Sequence, residues 1–240
     1  TPKPSSAASD VYKRQVHKSG GELSMLDLSN CRCIIFDLDG TILDSTQVWA
    51  KVDMDFLGRR GIPVSKEYMQ EIKTHTFESG SVYTKEKYNL PESTEEIMKE
   101  WYDAACKAYT DKVVLKPYAK TFIEQMHNNG LKIVSATSSD RALFEPCLRR
   151  NGIYGLFDAF TQTNEVPRGK KFPDVYMKAA GKAGCSVNEC IVFEDVLSAA
   201  QGAKSGGFTV VAVYDEASAD DWPDICRIAD YNIRSYSELI

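Results

Sequence analysis

The residues best suited to chemistry lie together in Cys33-Ile34-Ile35-Phe36-Asp37-Leu38-Asp39-Gly40-Thr41-Ile42-Leu43-Asp44-Ser45. An apolar run ends in two carboxylates one residue apart, followed by a glycine, a hydroxyl and a helix start. Alternate residues of an extended segment project to one side, so Asp37 and Asp39 are expected to converge where the strand ends. Two carboxylates that close repel unless a cation sits between them or one keeps its proton. Gly40 lets the backbone turn sharply after them, and Thr41 adds a donor beside the site. The combination suits magnesium-dependent handling of a phosphate group. Asp-x-Asp alone would fit an ordinary turn after a core strand equally well; the whole string is more specific.

Later apolar runs also end in polar residues that core packing does not require. Leu131-Lys132-Ile133-Val134-Ser135-Ala136 leads into Thr137 and Ser138. The run from Phe157 to Thr161 precedes Gly169-Lys170-Lys171-Phe172-Pro173-Asp174, and Cys190 to Phe193 leads into Glu194 and Asp195. Open parallel sheets bind ligands beyond the carboxyl ends of their strands. Asp37, Asp39, Thr137, Ser138, Lys170, Glu194 and Asp195 are therefore expected to form one site.

The elements that must position them follow an α/β rhythm with one interruption. From about 45 to 116 every signal is helical, including a capping box at Ser93 and Glu96 and stripes such as Ile97, Trp101, Ala104 and Ala108. Asp44 with Gln47 suggests a similar helix start. From Pro117 strands alternate with helices, one of them expected to be capped by Ser139; another strand is expected from Phe208 to Val213. Such alternation means parallel strands with right-handed crossovers. The expected fold is a doubly wound, Rossmann-like parallel sheet, built from 25–44 and 117–240, with a helical cap domain at 45–116. Residues 1–24 are polar and aperiodic; Ser5 to Gln15 reads as translated adapter sequence, and Met25 as the native start. This stretch is set aside as a disordered or artefactual tail.

Composition narrows the function. The 240 residues are 43% hydrophobic and 26% charged, an ordinary globular balance. A net charge of −5 argues against nucleic acid or an anionic membrane surface as the partner. No apolar run approaches the ~18 residues that span a bilayer, and no signal-peptide core is present. Seven cysteines without a Cys-x-x-Cys pair, with three histidines, read as reduced thiols of a cytoplasmic protein rather than a zinc site. Nothing in the sequence marks an oligomeric state.

The four strand-end groups resemble, in order, the four motifs of the haloacid dehalogenase superfamily in its phosphatase form, over Ile34 to Val213. Asp37-Leu38-Asp39-Gly40-Thr41 resembles the first and Val134 to Ser139 the second. Lys170 ahead of Pro173-Asp174 resembles the third, and Ile191-Val192-Phe193-Glu194-Asp195 the fourth. The helical insertion resembles the small cap of the branch that includes sugar-phosphate phosphatases and β-phosphoglucomutase. The resemblance implies Asp37 as nucleophile forming an aspartyl-phosphate, and Asp39 as general acid and then base. Thr137, Ser138 and Lys170 would bind phosphate. Mg²⁺ would be held by the Asp37 carboxylate, the Asp39 main-chain carbonyl, Asp195 and waters, with Glu194 either a ligand or just behind the ligands. Hinges near 43–45 and 116–117 would let the cap open and close.

The expected activity is Mg²⁺-dependent hydrolysis of a small phosphomonoester. A phosphomutase of the β-phosphoglucomutase type is the alternative, ranked lower because His75-Thr76-Phe77-Glu78-Ser79 offers no counterpart of that enzyme's arginine-containing loop. A non-catalytic binding module is a third reading. Three positions depart from the usual pattern: Lys171 where proline is common, Val196 where serine is frequent, and Ala199 where glycine is frequent. His75 and Arg59 in the insertion read as ordinary packed or surface residues, and Asp174 as a cap or a partner of Lys170.

Overall fold

Residues 15–18, 23–72 and 75–240 are described in a computed structural model. The strands, in chain order, are β1 (Gln15–Lys18), β2 (Leu23–Met25), β3 (Cys33–Phe36), β4 (Leu43–Asp44) and β5 (Val114–Leu115). They continue with β6 (Lys132–Thr137), β7 (Ala159–Gln162), β8 (Cys190–Glu194), β9 (Thr209–Val213) and β10 (Tyr231–Ile233). Helices α1 (Gln47–Arg59), α2 (Lys66–Ile72), α3 (Phe77–Tyr88) and α4 (Thr94–Asp111) come first. Helices α5 (Ala119–Asn128), α6 (Arg141–Arg150), α7 (Asp174–Ala183), α8 (Leu197–Ser205) and α9 (Trp222–Ile228) follow. The chain divides into two compact units, residues 1–44 with 114–240, and residues 45–113.

The first unit is built on a sheet of order β2-β1-β10-β9-β8-β3-β6-β7, parallel from β10 to β7. Strand β3 lies between β6 and β8, with Ile35 opposite both Val134 and Val192. All four of its residues are buried, which is why it reads as a continuous apolar run rather than an alternating one. Cys33 and Ile35 join Val175, Tyr176, Ala179 and Ala200 in one core layer. Phe36 instead meets Phe193 at 5.0 Å and Phe122 at 6.3 Å, and Tyr236 stacks on Phe193. From β3 the chain builds outward through β6 and β7, then returns to the other flank through β8, β9 and β10. The carboxyl end of β3 is thus the point where winding reverses, and it carries Asp37.

Two expectations change here. The stretch 1–24 was set aside as a tail, yet Gln15–Lys18 pairs antiparallel with β10, His17 opposite Asn232, and with Leu23–Met25. Strand pairing is made by main-chain groups and needs no apolar run, so sequence pattern gave no sign of it. Residues 1–14 and 19–22 of that stretch lie outside the described residues. Val114 and Leu115 belong to the first unit, because Leu43 pairs with Leu115 and Asp44 with Val114. This short ladder sets the second unit's limit at Val113, ahead of the Pro117 start expected for the returning core.

The second unit is helical. Phe56 packs on Trp101 at 5.7 Å, and Ile97, Tyr68 and Tyr109 are buried. The Ser93–Glu96 capping box is formed at the start of α4, and Thr76 with Ser79 makes another at α3. Asp44 does not cap α1, because it lies in β4; Thr46 holds the cap position, its side chain making no capping hydrogen bond to the helix. In the first unit Asp140 rather than Ser139 caps α6, accepting from the Ala142 N–H at 2.9 Å. Arg59 pairs with Glu100 at 2.6 Å and His75 stacks on Tyr83, so both serve the helical unit itself.

Candidate active site

Asp37 follows β3 directly, and its amide donates to the Phe193 carbonyl at 3.0 Å, which extends the β3–β8 pairing past the last strand residue. Glu194 ends β8 and Asp195 follows it. Asp37, Glu194 and Asp195 are buried, and each offers a carboxylate oxygen within 4.8 Å of the others. Lys170 Nζ lies 2.7 Å from Asp37 Oδ1 and also contacts Glu194 Oε1. One ammonium thus bridges two strand ends.

The acids are held by hydroxyls. Thr41 Oγ1 donates to Asp195 Oδ1 at 2.7 Å, and Tyr236 OH donates to the Thr41 carbonyl at 3.1 Å. Tyr176 OH donates to Glu194 Oε1 at 2.8 Å, and the Asp195 amide to Glu194 Oε2 at 3.2 Å. Thr41 can reach Asp195 because Gly40 turns at φ 79°, a left-handed conformation that glycine adopts at no steric cost.

Thr137 is the buried last residue of β6, and its Oγ1 accepts from the Ser139 N–H at 3.0 Å. That leaves the hydroxyl hydrogen able to donate elsewhere. Ser138 is exposed beside it. Asp39 is less buried than Asp37, and its carboxylate lies outside the three-acid group. Strand β3 ends at Phe36, and Asp39 belongs to the turn that bridges to Leu43. Asp174 is the first helical residue of α7 and pairs with Arg168 at 2.7 Å, not with Lys170. Lys171 is exposed.

Tyr176 and Tyr236 are the residues that sequence reasoning did not find. Each sits in its own apolar pattern far along the chain, and only the packed fold brings its hydroxyl to the acids. A buried tyrosine oxygen needs a partner, but that rule does not say where the partner lies.

The electrostatics favour a further positive charge at the acids. Three buried carboxylates face one ammonium. Asp37 is raised to about 7, by burial first, with Lys170 pulling down and Glu194 and Asp39 adding to the rise. Asp195 is raised well above the usual carboxylate range by burial first, then by Asp37 and Glu194. Burial works against the charge on Lys170, but Asp37 and Glu194 outweigh it and raise its pKa. A cluster of carboxylate oxygens with surplus negative charge is the donor set of a hard divalent cation. The residues present fit such an ion.

Fold and site together define an α/β protein with a buried acid–lysine group at the carboxyl end of its central strand, suited to a hard cation and an anionic ligand. The family model for haloacid dehalogenase-like hydrolases matches residues 34–213, and the chain belongs to that family. A bifunctional riboflavin kinase/FMN phosphatase from Arabidopsis thaliana is 27% identical over 75% of the chain, which spans 48% of that longer protein. Hexitol phosphatase B from Escherichia coli is 24% identical over 85% of the chain and 92% of its own length. Among solved structures, a putative β-phosphoglucomutase from Thermotoga maritima shares the fold, with TM-score 0.76 and 20% identity over 87% of this chain and 96% of that one. No helix among the described residues is long and apolar enough to cross a membrane. The seven cysteines are free thiols.

Proposed function

We propose that the protein is a Mg²⁺-dependent phosphatase that hydrolyses a small phosphomonoester of the sugar-phosphate type through an aspartyl-phosphate. The observation that carries this reading is the Lys170 ammonium held between Asp37 and Glu194, 2.7 Å from the Asp37 carboxylate. The phosphatases among its relatives support the reaction class.

The Asp37 carboxylate attacks phosphorus, the ester P–O bond breaks, and Asp39 gives a proton to the leaving alkoxide. A water then attacks the phosphorus of the Asp37 acyl-phosphate while Asp39 takes its proton. Inorganic phosphate leaves and the Asp37 carboxylate is restored. Splitting the displacement in two is the advantage of a covalent route, and proton transfer of this kind is worth ~10² to 10⁴ in rate. Lys170 favours the anionic form of Asp37 and offsets the repulsion between nucleophile and substrate. Thr137 and Ser138 bind the phosphoryl oxygens. Mg²⁺, held by the Asp37, Glu194 and Asp195 carboxylates and the Asp39 main-chain carbonyl, would neutralise phosphoryl charge.

The test is phosphate release from a panel of sugar, hexitol, polyol and nucleotide phosphates. Release is expected with Mg²⁺ and is expected to cease with EDTA or in Asp37→Asn. Undiminished release by Asp37→Asn would refute the assignment.

A further inference from the structure

Helix α8 begins two residues after Asp195 and carries Gly202 in its interior, where glycine is less favourable than alanine. The surroundings explain it. A Cβ on Gly202 would lie 2.8 Å from the carbonyl carbon of Lys171 and 3.0 Å from that of Lys170, and would collide outright with the Lys170 carbonyl oxygen. Four residues on, a Cβ on Gly206 would stand 2.6 Å from Cβ of Pro173. Residues four apart share one helix face, so segment 170–173 lies against a side of α8 and its C-cap that presents no side chain at 202 or 206. By contrast Gly181, inside α7, has nothing within 4 Å of its Cβ position.

The segment so held carries the Lys170 ammonium to Asp37 and Glu194. At its start, α8 is tied to the same acids, since Tyr176 OH, which donates to Glu194, lies 3.3 Å from the Ala199 carbonyl. We propose that Gly202 is a positioning residue, whose missing side chain lets α8 fix the Lys170 backbone where the ammonium bridges the two strand-end acids. This deepens the phosphatase reading and rests on it for its kinetic consequence. The opposing atoms are backbone, so no rotamer change relieves a methyl at 202. Restoring ordinary carbon–carbon contact moves the 170–171 segment by roughly 1 Å, and a displacement of that size can cost about 10²-fold in rate.

Gly202→Ala is compared with wild type and with Gly181→Ala, in which the new methyl meets open space. Turnover of p-nitrophenyl phosphate with Mg²⁺ gives kcat and KM. Acetic anhydride labelling of lysines, read by peptide mass spectrometry, reports Lys170 without requiring activity. In Gly202→Ala, kcat is expected to fall about 10- to 100-fold, more than KM changes. Lys170, whose side chain is only 12% exposed, becomes reactive while exposed Lys171 labels equally in all three proteins. Wild-type kcat with a protected Lys170 would overturn the proposal, as would an equal loss in Gly181→Ala. If Gly202→Ala does not fold, Gly206→Ala takes its place, with a smaller kcat loss and partial Lys170 labelling expected; no change in either overturns the proposal. A wild type that releases no phosphate counts against the phosphatase reading, while the labelling contrast still decides the role of Gly202.

Discussion

Asp53 offers a quantitative test of the helical unit's interior. Its side chain is 8% exposed and accepts from Tyr68 OH at 3.1 Å, and Tyr68 OH also meets Thr84 at 2.9 Å. Burial raises the Asp53 carboxyl from 3.8 to about 6, against a smaller lowering by the Tyr68 hydrogen bond. The folded state therefore holds its proton over a pH range in which the unfolded chain has lost it. Below about pH 4 both states are protonated and the group costs nothing. As pH rises from 3.8 toward 6, stability falls, and above about pH 6 the loss levels off. The gap between the two values corresponds to at most ~3 kcal/mol. Asp53→Asn keeps an acceptor for Tyr68 and removes the charge. Its stability relative to wild type should be near zero at pH 4 and grow to a gain of ~1 to 3 kcal/mol at pH 7.5. Urea unfolding followed by tryptophan fluorescence from pH 4 to 8 measures this, Trp101 lying in the same unit. Groups common to both proteins cancel in the difference. A variant less stable than wild type at pH 7.5, or a difference that does not vary with pH, would refute the reasoning.

Other outcomes follow from the site and its frame. Thr41→Val removes the hydrogen bond to Asp195 at nearly constant shape; half-saturation by Mg²⁺ should rise 10- to 100-fold with little change in kcat at saturating Mg²⁺, and an unchanged metal titration would count against the role of Thr41. Tyr118 stands at φ 65° with 55% of its surface exposed, a left-handed conformation costly for a side chain. Tyr118→Gly should therefore raise stability by ~1 kcal/mol, seen as a higher Tm; a lower Tm would mean that the tyrosine ring makes a contact worth more than the strain.

How much was legible in the sequence depended on how local the signal was. Strands β3, β6 and β8 are buried on both faces, so their apolar runs stood out, and the polar residues that end them gave most of the site. Lys170 was found by its place after a strand, although the two acids it bridges are far away in sequence. Strands β1, β2 and β10 were missed because pairings this short rest on main-chain hydrogen bonds that any residues can make. Tyr176, Tyr236 and Gly202 were invisible for another reason: each acts through a neighbour distant along the chain, and no spacing within the sequence encodes that distance.

The account depends most on Asp37 as the atom donor to phosphorus. Rapid acid quench of wild type turning over a hydrolysed phosphomonoester, followed by peptide mass spectrometry, tests this directly. The account predicts one added phosphoryl group on the peptide containing Asp37, absent in Asp37→Asn. A phosphoryl group on another residue, or full turnover with Asp37 unlabelled and replaceable, would contradict it.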